Sequence, residues 1–165
     1  MAAESSVIKN FRDGTLVLSD GTGSPVSYTV VLEGGDFAAG LMSADNHEVT
    51  AYLDRGDFAT LRQTNQTFPS WSFTAHQSGV SDGTLNTIRD FVMKSDSYSA
   101  NVSTLGANAD VYTIKVTLTI EGTDHGDAAD HTLVFDDSHV VIDFSEGDPN
   151  SWSLSGTSYA APTST

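Results

Sequence analysis

The side chains able to do chemistry are few, and their spacing argues against most of it. Five histidines, His47, His76, His125, His131 and His139, are spread along the chain. Two of them, His125 and His131, stand among Asp124, Asp127 and Asp130. A metal centre needs several such groups to converge on one point. No H-x-x-x-H or H-E-x-x-H spacing offers that convergence. Asp124-His125-Gly126-Asp127 lacks the alternating acids of an EF-hand loop. The expected state of this cluster is a solvated acidic loop with no metal. Serines are plentiful, but no G-x-S-x-G elbow positions one as a nucleophile. The phosphate-cradling G-x-x-x-x-G-K-[ST] pattern is absent, and Gly21-Thr22-Gly23 precedes Pro25 and a strand rather than a helix. With no cysteine, the chain has neither a disulfide framework nor a thiolate site. No catalytic, cofactor-binding or metal-binding residue is therefore assigned, and the expectation is a protein that is not an enzyme.

Charge is the strongest compositional fact. The 165 residues hold 7 Lys+Arg against 22 Asp+Glu, a formal net charge of −15. A protein that grips nucleic-acid phosphates carries a basic patch, so such binding is not expected. After Lys115 no Lys or Arg remains, while acids continue to Asp148. Solubility alone accounts for an acidic surface. A sharper reading is a surface that repels a passing polyanion. No apolar run reaches the ~18 residues that a spanning helix requires, and Met1–Ser6 lacks the basic and apolar regions of a secretory signal. Without a secretion route, Asn65-Gln66-Thr67 and Asn101-Val102-Ser103 are chance sequons.

The elements that would position any site are mostly strands. Thr15–Ser19 is a short apolar run, Asp20–Pro25 is rich in turn formers, and Val26, Tyr28, Val30 and Leu32 alternate with their neighbours. This predicts a hairpin with a glycine-bearing loop. His47–Leu53 alternates with Val49, Ala51 and Leu53 on one side, Asp54–Asp57 is a turn, and Phe58–Gln63 is a further short strand. In Phe68–Ala75, Trp71, Phe73 and Ala75 share a face, which places Trp71 in the core, with Pro69 at a strand start or edge. The period changes once. Leu85, Ile88, Phe91 and Val92 follow helical spacing, predicting one helix over about 83–94, capped by Ser81 or Asp82 and closed by Lys94.

Residues 112–121 form the clearest strand. Tyr112, Ile114, Val116, Leu118 and Ile120 occupy one face, and Thr113, Lys115, Thr117, Thr119 and Glu121 the other. Residues 132–135 and 140–144 read as two strands joined at Asp136-Asp137-Ser138, and 151–155 as a last short one. Segments 36–46, 122–130 and 156–165 lack periodicity and are expected to be mobile. The expected architecture is a single mainly-β domain over 1–165, an antiparallel β-sandwich or barrel with one packed α-helix. Such a fold also suits a non-enzymatic carbohydrate- or protein-binding module, for which Trp152 is the better exposed aromatic candidate.

The chain resembles the phage major tail proteins, the tail tube subunits of long-tailed phages. The resemblance lies in Asp13–Gly21, Val26–Phe37, Phe68–Phe73 directly before the helix, and the threonine-rich strand after it. It extends from about residue 7 to residue 155 and rests on element order and texture. It implies a structural virion protein made in the host cytoplasm. It implies hexameric rings stacked into a tube, contacts with other tail proteins, and an acidic lumen through which DNA passes without specific binding. On that reading Thr113, Lys115, Thr117, Thr119 and Glu121 face the lumen, with short hydroxyls forming a smooth polar wall.

Overall fold

A computed structural model describes residues 8, 14–41, 46–79 and 86–165. Strand β1 (Thr15–Ser19) pairs with β2 (Ser27–Thr29) as the predicted hairpin, but β2 ends short of the expected Leu32, which takes a left-handed φ of 61°. Asp20 shapes the intervening loop. Its buried carboxylate accepts hydrogen bonds from the Val26 amide (2.7 Å), the Thr22 hydroxyl (2.9 Å) and the Val102 amide (3.0 Å). One acid thereby ties a local turn to a loop far along the chain.

After β3 (Ala38–Ala39) come β4 (His47–Asp54) and β5 (Asp57–Gln66), then β6 (Ser70–His76). Beyond the helix lie β7 (Ile114–Ile120), β8 (His131–Ser145), β9 (Ser151–Ser158) and β10 (Thr163–Ser164). The main sheet runs β2-β1-β7-β8-β9-β6-β3, with β10 added on β8. Residues 30–34 draw its ends together. The Val30 amide donates to Leu16 (2.8 Å), while the Gly34 amide donates to Thr74 (2.7 Å) and Leu32 accepts from His76 (2.9 Å). The antiparallel sheet thus wraps a core of Leu16, Leu18, Trp71, Phe73, Val116, Phe135 and Leu154. This is the expected mainly-β fold with one packed helix.

Trp71 lies in that core with its indole N–H donated to Ser138 Oγ at 3.0 Å. It fits only because its cross-strand partner is Gly156. A Cβ at position 156 would stand 2.4 Å from the indole ring.

Helix α1 (Ile88–Met93) is shorter than the expected 83–94. Residues 86 and 87 are not helical, and Ser81, Asp82 and Leu85 lie outside the described residues. The cap is Thr87, in a capping box with Asp90, which satisfies the first-turn amides locally. Lys94 closes the helix in the left-handed conformation (φ 54°). Ile88 and Phe91 are buried, and Phe91 meets Tyr98 edge-on at 5.1 Å.

Three further expectations are corrected. The two strands predicted over 132–144 are one 15-residue strand, β8. Asp137 (φ 49°) takes up an irregularity there, so the chain bends without breaking the ladder. Its first half pairs with β7 and its second with β9, so β8 turns the sheet around the core. The long strand predicted at 112–121 is limited to Ile114–Ile120, because Thr113 is drawn into a loop. The tail at 156–165, expected to be mobile, belongs to the sheet. β9 continues to Ser158, β10 pairs with β8, and Thr165 exchanges backbone hydrogen bonds with Thr132.

The other two irregular segments also carry specific contacts. In 36–46, Asp36 accepts the Thr74 amide at 2.8 Å and β3 pairs with β6, while residues 42–45 lie outside the described residues. In 122–130, Asp130 Oδ1 accepts the amides of Gly122 (3.1 Å) and Thr123 (3.3 Å).

Candidate assembly surfaces

β4 and β5 form a sheet of their own. Arg55 (φ 52°) and Gly56 (φ 94°) make the tight connection, and both positive φ values match the right-handed twist of the flanking strands. The register pairs Val49 with Gln63, Ala51 with Leu61 and Leu53 with Phe58. Directly paired residues share a face, so one side carries Val49, Ala51, Leu53, Phe58 and Leu61, with Gln63 as its polar member. The other carries Thr50, Tyr52, Thr60 and Arg62.

The amphipathic pattern would ordinarily mark a face packed on a core. Here that face is open: Val49 is 54% exposed, Leu53 61%, Phe58 66% and Leu61 55%. The hairpin is inserted in sequence between β3 and β6, which pair with each other. Pro69, lacking an N–H, stands where β6 begins, and the Thr67 amide donates to Asn46 (2.9 Å) at the root. Sequence reasoning located both strands and the turn. The strict alternation of β4 was the signal for an apolar face, but nothing in it says which body covers that face.

Outside the hairpin, the outer faces of β3, β6, β9 and β8 form a concavity of about 480 Å³. Ala38, Gly40, Ser70, Ser72, Val141 and Ser155 line it. Val141, Ser155, Ser72 and Ala38 lie in one cross-strand row, with Asp143, Ser153 and Thr74 in the next.

The predicted lumen face is only partly a surface. Thr113 is buried, its hydroxyl within 2.7 Å of Ser103 Oγ and 2.8 Å of Thr104 Oγ1. It therefore cannot face a lumen, and this member of the set is corrected. Lys115, Thr117, Thr119 and Glu121 are half-exposed. Lys115 Nζ lies 3.1 Å from Asp136 Oδ2 of the same chain, across the β7–β8 ladder. At this exposure the pair contributes little stability, but it neutralises the one cation on the face.

The histidine–acid cluster resolves into structural pairs. His131 Nε2 lies 3.1 Å from Asp127 Oδ2, and Asp130 braces the 122–123 backbone. Those amide hydrogen bonds hold the Asp130 carboxyl below its usual range. Among the described residues no three His, Asp or Glu side chains converge as a metal site. Trp152, the expected exposed aromatic, is half-buried and packs on Phe144 with ring centres 5.2 Å apart. Its alternation with Leu154 turns it toward the core.

Two further acids have displaced affinities for protons. Burial would raise Asp20, but hydrogen bonds from Val102, Val26 and Thr22 outweigh it and hold the carboxyl low. Burial raises Glu33, helped by the nearby Asp36 charge, against the opposing hydrogen bond from Gly35. Glu33 Oε1 has no hydrogen-bond partner among the described residues.

No protein-family model matches the chain, and no curated protein matches it. Among solved structures its fold is similar to the sheath/tube terminator of an extracellular contractile injection system, PVC, determined by cryo-electron microscopy in the extended state. The TM-score is 0.52 at 10% identity, over 91% of this chain and 92% of that one. No helix among the described residues is long and apolar enough to cross a membrane.

Proposed function

We propose that this chain is a structural, non-enzymatic subunit of a tail-like tube. Copies close hexameric rings, the rings stack, and the bore conducts DNA into a host from a virion tail that contains other tail proteins. The observation that carries this reading is the hairpin with an exposed apolar face. A two-stranded ribbon is marginal in water by itself and needs a further partner. An assembly supplies that partner in every copy, which suits a protein whose function is to repeat. The fold likeness to a sheath/tube terminator supports the same general class.

Within this proposal Lys115, Thr117, Thr119 and Glu121 line the bore, with Lys115 balanced by Asp136. Threonine suits a strand that is apolar behind and wet in front. At about 0.15 M salt the Debye length is about 8 Å, so only acids close to the DNA path act on it. Changing Thr117 and Thr119 to Lys in an intact phage is expected to leave tails assembled but slow DNA passage, because a basic wall holds phosphates. Unchanged infection kinetics would remove these residues from the bore.

A second reading, that the ring caps a tube instead of extending it, is favoured by the terminator likeness. Negative-stain microscopy of concentrated protein separates the two. A tube subunit gives stacks of open-ended length, a cap gives single rings, and featureless monomers would refute both.

A further inference from the structure

We infer that the β4–β5 arm of one copy seats its apolar face in the concavity over β3, β6, β9 and β8 of a second copy. This rests on the assembly reading and adds the receiving surface to it.

The arm offers Leu53, Phe58 and Leu61 as exposed anchors. The floor of the receiving surface is small side chains and backbone, Ala38, Gly40, Ser72 and Ser155, with His139 at its side, and about 480 Å³ stands open. Val141, half exposed, supplies an apolar wall. Large side chains on one body and a hollow floored by small ones on the other are complementary in shape.

Charge points the same way. The arm holds two arginines, Arg55 and Arg62, against three acids, Glu48, Asp54 and Asp57, in a chain whose net charge is −15. At a net −1 over 20 residues it is close to neutral, so another copy repels it only weakly. The receiving face is bordered by acids that Arg55, in the turn of the arm, can meet, Asp143 in the row beside Val141 and Asp36 bonded to Thr74.

The arrangement in space then selects a second copy. Gly40 and Ser70 both line the hollow and stand at the root of the arm, where the Gly40 amide donates to Ser70 (2.8 Å). An arm of this length reaches roughly 25–30 Å at ~3.3 Å per residue, so its tip stands far from the root that borders its own hollow. An arm arriving from a neighbour lies beside the root of the next arm. The contact therefore repeats head to tail, as ring closure or stacking requires.

The chain has no cysteine, so introduced thiols report proximity without background. Single variants Leu61→Cys and Val141→Cys, and a second pair Phe58→Cys and Ser155→Cys, are mixed under assembling conditions with a short bismaleimide cross-linker. Cross-linked dimers are expected in each mixture and not from either variant alone. Dimers from Leu61→Cys alone mean arm-to-arm packing and overturn the inference. So does assembly seen by microscopy with no cross-link in either pair, which leaves the tube reading standing. Failure of the wild-type chain to assemble at all overturns both. In parallel, Leu61→Arg and Val141→Arg, each checked for folding by near-ultraviolet circular dichroism, are expected to lower the polymer fraction at least tenfold. An equimolar mixture of the two should recover heterodimers, since it retains one intact arm and one intact hollow. A mixture that stays monomeric overturns the inference.

Discussion

Single atoms decide two features of the barrel. The Trp71 ring occupies the space that any side chain at Gly156 would need. Gly156→Ala is expected to destabilise the protein by about 1–3 kcal/mol through overpacking, measured by urea denaturation. Asp20 shows the second kind of dependence. Its folded-state pKa is depressed, so its contribution is full above the ordinary value of 3.8 and is lost as pH falls through the lower folded value. Asp20→Asn should cost about 1–3 kcal/mol at neutral pH, as buried amides lose their anionic acceptor. Glu33 has the opposite sign. Its folded pKa is raised above 4.5, so its contribution to stability is present below that value and lost as pH rises through the folded pKa. Glu33→Gln should raise the melting temperature at pH 7, with the gain shrinking toward pH 4. An unchanged pH profile in both variants would separate these carboxylates from acid sensitivity.

At the scale of elements, the hairpin and the barrel obey different energetics. Barrel strands bury one face and satisfy their edges through residues 30–34 and β10. Among the described residues the hairpin is held by its own cross-strand hydrogen bonds and side-chain pairs and by the Thr67–Asn46 bond at its root. Replacing residues 47–66 by a short glycine linker is expected to leave cooperative melting of the barrel intact while abolishing self-association. Circular dichroism and sedimentation velocity report the two separately. Loss of cooperative melting would mean that the arm is part of the folding unit. Hydrogen exchange should be fast in β4 and β5 of the free subunit and slow in the assembled one.

For the whole molecule, the net charge of −15 sets the conditions of assembly. Copies of an acidic chain repel one another, and screening shortens that repulsion. Raising salt from about 0.05 to about 0.5 M should therefore lower the concentration at which sedimentation detects polymer. A rise instead would indicate that pairs such as arginine with Asp143 dominate over net repulsion.

Much of the fold is legible in local pattern. Alternation over 47–63 and 68–75 and along β7 marks strands because a half-buried strand has a two-residue period, whereas the alternation over 26–32 is strand only at 27–29. The helical spacing of Ile88, Phe91 and Val92 marks the helix. Local pattern also assigns Trp71 to the core, since it shares a face with Phe73 and Ala75. What it leaves undecided depends on partners distant in sequence. Thr113 and Thr117 have the same side chain and the same strand phase, yet one is buried. The difference is the loop at 101–105, which folds over one of them. The C-terminal residues carry no periodicity, and it is pairing with β6 and β8, distant in sequence, that recruits them into the sheet. Alternation in β4 and β5 likewise states that one face seeks cover. Whether the barrel supplies that cover is a tertiary outcome: β4 and β5 form a sheet of their own, and their large apolar side chains stay exposed.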